Sequence, residues 1–150
     1  MLKVAIAALV GAMLISVINA IVYGLLIPDV VDANRTAYEG LFRDKPHLVA
    51  YFLFGLLWMS MLAYAFEYWA NIRNFARGAV AGAVFWAAVV LGINLAYIYN
   101  FHLLENVFVI VPIKIATAAV AGAIVGGVMG TILGWRAGSE APGRSEHRST

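Results

Sequence analysis

Four polar side chains stand where an apolar chain has least reason to keep them. Asn19 and Tyr23 lie near the end of the first apolar run, Asn94 near the end of the third, and Lys114 near the start of the fourth. Amide and ionisable groups at lipid depth are costly, so each needs a partner or a task. Lys114 is the sharpest case. It follows Glu105 on the same run and, by helical rise, lies on the order of 10 Å inside the boundary of the layer. It is also one step outward of Ala118 on a ridge of small residues, which turns it toward neighbouring helices. Asn19, Tyr23 and Asn94 fall at comparable depth, and Asp29, Asp32, His102 and Glu105 border the layer above. The chemistry on offer is recognition: a cation and two amides forming an outward-facing pocket for an anionic headgroup, a substrate or an ion. The competing expectation has Lys114 snorkelling or paired with an acid, and the asparagines bonding across helices as packing glue. Pro112, two residues earlier, either frees carbonyls of the preceding turn or marks a first helical turn, where proline is harmless.

Other chemistry is thinly represented. His47 and His102 lie at the outer ends of helices and are the weak candidates for a metal, a haem or a pigment, with Glu105 or Asp29 nearby. No spacing motif supports them, and no cofactor or metal is expected. The chain has no cysteine, which removes disulfides, thiolate nucleophiles, Cys-ligated zinc and iron–sulfur clusters. Serine-hydrolase, zinc-protease and phosphate-loop patterns are missing, as is a pair of carboxylates inside a span. A non-enzyme is expected. Glu67, with Arg73 and Arg77 in the following turn, reads as an interfacial ion pair. The first span carries no acid, which argues against a proton-coupled four-helix antiporter.

Apolar runs must position these residues. Of 150 residues 63% are hydrophobic and 12% charged, and the mean hydropathy is +0.87. A soluble domain would carry about a quarter charged residues. Runs at Val4–Ile27, Leu48–Trp69, Phe75–Tyr99 and Phe108–Trp135 each meet the roughly 20 residues a span requires. The expected fold is all-α and polytopic, four transmembrane helices in an antiparallel bundle over residues 1–136. The first run continues past Ala20 to Ile27, longer than a signal-peptide core, so an uncleaved helix is expected.

Lys3, Arg73, Arg77, Arg136, Arg144 and Arg148 fall on one side, and Arg35, Arg43 and Lys45 on the other. Positive residues mark the cytoplasmic side, so both termini are expected in the cytoplasm of a bacterium, with the protein in its inner membrane. Tyr64, Tyr68, Trp69 and Trp135 then mark the inner interface, and Tyr23, Tyr51, Tyr97, Tyr99 and Phe101 the outer one. Between Pro28 and Pro46 the spacing of Val30, Val31, Ala37, Tyr38, Leu41 and Phe42 predicts a short amphipathic helix on the outer surface, with a plain loop as the alternative. Residues 137–150 form a polar tail expected to be disordered.

The spans also carry small residues at every fourth position. Ala118, Gly122, Gly126, Gly130 and Gly134 form one ridge; Ala8, Ala12, Ser16, Ala20 and Gly24 form a looser one; Gly78 and Gly82 add a third. Such ridges let helices approach closely in lipid, where no hydrophobic effect drives them together, and they suit right-handed crossings near −40°. The simplest expectation packs the last span against the first within one chain; the competing one pairs the last spans of two copies. The second span is bulkier, with Phe52, Phe54, Leu56, Trp58 and Met59, and is expected to face lipid or a partner.

Two segments, INAIVYGLLIPDVVDANR from Ile18 and KIATAAVAGAIVGGVMGTILGW from Lys114, resemble small uncharacterised bacterial four-helix integral membrane proteins. These share a Tyr–Gly pair closing the first helix and a glycine-rich last helix. The resemblance implies the four-helix inner-membrane architecture and no activity.

These features point first to a non-enzymatic accessory or packing subunit of a larger membrane complex, or of a homo-oligomer. A small dimeric transporter or channel using the polar layer around Lys114 is the second expectation, and a lipid- or cofactor-binding membrane protein the third. The expected partners are the bilayer and other membrane subunits or a second copy, not nucleic acid; the net charge is only +2.

Overall fold

The computed structural model describes residues 1–34, 47–100 and 106–135. Among the described residues the regular structure is entirely helical. Helix α1 (Leu2–Ile21) runs into a wide π turn, Val22–Leu26, and is followed by the short α2 (Pro28–Ala33), α3 (Leu48–Tyr68), α4 (Phe75–Asn100) and α5 (Val107–Gly134). All but α2 are long and apolar enough to cross a membrane, and they form an antiparallel bundle. No more than 28% of any spanning window is buried inside the chain, so most of each helix presents apolar side chains outward, as a lipid-facing helix must.

Local chemistry sets the element ends. Pro28 occupies the first turn of α2, where its missing N–H costs nothing. The Ile27 N–H bonds the Val22 carbonyl, five residues back, at 2.9 Å. The first span thus ends in a π turn rather than as the regular helix to Ile27 that its sequence suggests. Of the amphipathic connection, Pro28–Ala33 is helical, and residues 35–46 lie outside the described residues. His47 Nδ1 accepts a hydrogen bond from the Ala50 N–H at 3.3 Å and caps α3. His102 and the tail at 137–150 also lie outside the described residues. Pro112 is inside α5, not in its first turn, so the Phe108 carbonyl loses its helical donor.

The α3–α4 turn is built on Asn71, the one non-glycine at positive φ (47°) among the described residues, and on the Ile72 N–H bonding the Phe66 carbonyl at 2.9 Å. Arg73 reaches Glu67 at 3.0 Å and Asn71 Oδ1 at 2.7 Å. Asparagine tolerates left-handed backbone where alanine does not. Asn71→Ala should therefore lower stability by about 1–2 kcal/mol, and Asn71→Gly should cost clearly less, in reversible unfolding followed by circular dichroism. Equal losses would remove backbone strain as the reason for asparagine here.

Helix order around the bundle is α3–α1–α5–α4. The glycine ridge of α5 docks on α4, not on α1 as the sequence suggested. A Cβ on Gly126 would strike the Gly78 carbonyl oxygen, one on Gly122 the Gly82 carbonyl, and one on Gly134 the Arg73 carbonyl. At Gly130 the obstacle is the Asn74 carbonyl, 2.5 Å away. The reason is reciprocity. Gly78 and Gly82 meet Gly122 and Gly126, so both surfaces lack side chains and the backbones come into contact. The α1 ridge consists mainly of alanines, and it packs on α3 instead, where a Cβ on Gly55 would lie 3.5 Å from Ile15 and 3.7 Å from the Ser16 hydroxyl. Each four-residue step turns about 40° around the helix. Ala8 and Ala12 are consequently buried, whereas Ala20 and Gly24 have wound out to the exposed face.

The core occupies the half of the bundle nearer Leu2 and Gly134. Ala7, Ala12, Met59, Ala63, Met129 and Leu133 are among its fully buried members. Met59 and Met129 converge on the bare face of Gly11. Helix α3 buries one face, Gly55, Met59, Leu62, Ala63 and Phe66, in the bundle and presents the rest, Leu53, Phe54, Leu57 and Met61 among it, outward.

Candidate ligand cavity

Packing changes character halfway along the bundle. The glycine seam between α4 and α5 ends at Trp86, whose Cβ lies 2.7 Å from the position a Cβ on Gly122 would take. Beyond Trp86, away from Leu2 and Gly134, α3 and α4 are not packed backbone to backbone. They touch through side chains, Trp58 and Phe85 meeting edge-on with ring centroids 6.0 Å apart. The space left between them is an open cavity of about 510 Å³, within the usual range for small-molecule sites.

Every spanning helix contributes to its wall. From α1 and its π turn come Asn19 and Tyr23, one helical turn apart; α2 supplies Val31 and Asp32; α3 supplies Tyr51 and Phe54; α5 supplies Lys114. Helix α4 gives a continuous stripe of Trp86, Val90, Asn94 and Tyr97, spaced so as to stay on one face. The structure thus brings together all four polar residues singled out in the sequence. Tyr23, Tyr51 and Tyr97 line the cavity, beyond the interfacial place that aromatic-belt reasoning assigns them. Of the expected neighbours, Asp29 is exposed on α2 and outside the lining, and no group of three potential metal ligands occurs among the described residues.

Depth orders the lining. Counting about 1.5 Å per residue from the helix ends, Asn94 and Lys114 both lie roughly 10 Å in, and Asn19 lies close to that level. Tyr51 and Tyr97 lie nearer the mouth, Asp32 stands at the rim, and Trp86 forms the floor about 12 Å below Asn94. The wall is therefore apolar at its base, amide- and cation-bearing in the middle, phenolic above that, and acidic at the rim. Tyr51 shares this part of the wall with Asn19 and Tyr23.

Asn94 carries the clearest signal. It is 3% exposed. Its amide nitrogen donates to the Val90 carbonyl at 2.7 Å, which leaves Oδ1 as the free end, and that oxygen is buried with no hydrogen-bond partner among the described residues. Three other buried polar atoms share this state, on Ser16, Trp58 and Glu67, but only Asn94 lines the cavity. A buried acceptor left unpaired costs about 1–3 kcal/mol. Other span hydroxyls, unlike that of Ser16, bond their own helix, as Ser60 does to Leu56 at 2.7 Å and Thr131 to Gly127 at 3.0 Å.

Sequence reasoning missed Tyr51, Phe54 and Trp86. The spacing of Tyr51, Phe54 and Trp58 along one α3 face was legible, but nothing local separates a cavity-lining aromatic stripe from a lipid-facing one. No family model, no curated protein and no solved structure matches this chain.

Proposed function

We propose that this is a non-enzymatic integral membrane protein of the bacterial inner membrane that binds a small ligand in the cavity between α3 and α4. Its termini lie in the cytoplasm and its cavity opens to the outer face. The observation that carries this reading is Asn94 Oδ1, a buried acceptor without a partner among the described residues, on a side chain that lines the same cavity as Lys114. A side chain kept only as glue between helices would spend its acceptor on a neighbouring helix, and Asn94 does not.

The accessory-subunit reading loses its main support, because the glycine ridge that invited a partner is occupied within the chain by Gly78 and Gly82. A through-channel is disfavoured because the half of the bundle below Trp86 is closed by Met59, Val125 and Met129. A transporter would need a second arrangement of α3 and α4, and the cavity is the site such a cycle would use.

Lys114→Leu tests the reading. Native mass spectrometry of the gently extracted wild type should show a small-molecule adduct that Lys114→Leu has lost, with both proteins equally helical. An adduct retained in full by the variant would count against the cavity as the site. Orientation is tested separately in right-side-out vesicles. A membrane-impermeant maleimide should label Asp32→Cys and spare Arg77→Cys, since the chain has no native cysteine; the reverse pattern would invert the proposed topology.

A further inference from the structure

The layered wall of the cavity identifies a class of ligand. Resting on the reading of the cavity as a binding site, we infer that it accommodates a single-chain zwitterionic phospholipid whose phosphate meets Lys114, whose backbone hydroxyl donates to Asn94 Oδ1, whose amine faces Asp32, and whose chain runs down to Trp86.

Each layer asks for one part of that molecule. The floor is Trp86 with Val89 and Val90 above it, and an apolar surface of this kind takes hydrocarbon. About 12 Å higher, at one level, stand an amide acceptor without a donor and a lysine. An amide oxygen there can accept from an O–H or N–H, and the lysine's positive charge favours an anion beside it. Further out, Asp32 is exposed at the rim, and a carboxylate there favours a cation. The order chain, hydroxyl, anion, cation matches the order of parts in a one-chain phospholipid with an ethanolamine head. A fatty acid lacks the outer cation, and a monoacylglycerol lacks both charges. A cavity of about 510 Å³ suits one chain with its head rather than a complete two-chain lipid. Entry need not pass through water. Above the Trp58–Phe85 contact, α3 and α4 are not packed backbone to backbone, so entry from the bilayer would run between them.

Four probes with matched parts test this against the full-length protein by native mass spectrometry: lysophosphatidylethanolamine, lysophosphatidylglycerol and monoacylglycerol of equal chain length, and glycerophosphoethanolamine without a chain. The expected order is lysophosphatidylethanolamine first, at least tenfold tighter than monoacylglycerol, with glycerophosphoethanolamine weakest. Lys114→Met should erase the advantage over monoacylglycerol, Asp32→Asn the advantage over lysophosphatidylglycerol, and Val90→Phe should block all three chain-bearing probes. Circular dichroism confirms that each variant is folded. Equal binding of the three chain-bearing probes, or tight binding of the chainless head, overturns the inference. So does binding that Val90→Phe leaves intact. Failure of all four probes overturns it too, and the adduct carried by the native protein then separates the two ideas. A different ligand lost in Lys114→Leu leaves the cavity as a binding site, whereas an adduct indifferent to that change removes both.

Discussion

Gly126→Leu should separate α4 from α5 and cost about 3 kcal/mol or more of stability, beyond the usual penalty for an overpacked core. Even a Cβ at this position meets the Gly78 carbonyl and comes within 2.8 Å of the Gly82 Cα and 3.1 Å of its nitrogen. These obstacles are backbone atoms, so no rotamer change relieves them; the helices must move apart. In lipid that loss is not offset by the hydrophobic effect, because the exposed faces are solvated by acyl chains as well as by each other. The measurement is unfolding in a graded denaturing detergent, with a disulfide between cysteines placed on facing α4 and α5 positions as a report of proximity. Gly92→Ala is the matched control: a Cβ there meets nothing within 4 Å, so the change should stay within about 0.5 kcal/mol. Similar effects at Gly126 and Gly92 would mean the seam does not hold the bundle together.

The second large effect is expected at Asn94, and its sign is informative. Asn94→Leu keeps the side-chain size and removes an unpaired buried acceptor, so it should raise stability by about 1 kcal/mol while weakening ligand binding at least tenfold. A residue retained for packing behaves in the opposite way, since its loss destabilises. The two properties moving in opposite directions is the pattern of a functional group whose cost is borne by the rest of the fold. Unfolding and native-mass titration of the same preparation check it. If Asn94→Leu is destabilised and binds as the wild type does, Asn94 is structural.

How much was legible beforehand follows from which forces act locally. Four spans could be read directly, because length and apolar composition decide whether a helix can exist in a bilayer. The convergence of Asn19, Tyr23, Asn94 and Lys114 could be read from depth alone, since antiparallel helices of known ends place equal depths side by side. Helix pairing could not. The α5 ridge was visible at every fourth residue, but its partner is set by which opposing ridge also lacks Cβ atoms, and Gly78–Gly82 is short beside the longer α1 series. The π turn at Val22–Leu26 left no mark beyond Pro28. Trp86 was the least predictable: it lies mid-span with no polar neighbour in sequence, yet it ends the glycine seam and floors the cavity. Both roles come from Gly122 across the interface, which gives its Cβ room.

The most direct test of the account is chemical access to that cavity in an otherwise cysteine-free chain. Val90→Cys lines the cavity wall, and Val125→Cys, 1% exposed, sits in the closed core below it. In native vesicles a small charged methanethiosulfonate should modify Val90→Cys readily, more slowly once the cavity is filled, and leave Val125→Cys untouched. A Val90→Cys as inert as Val125→Cys would contradict the claim that α3 and α4 enclose an open site above Trp86.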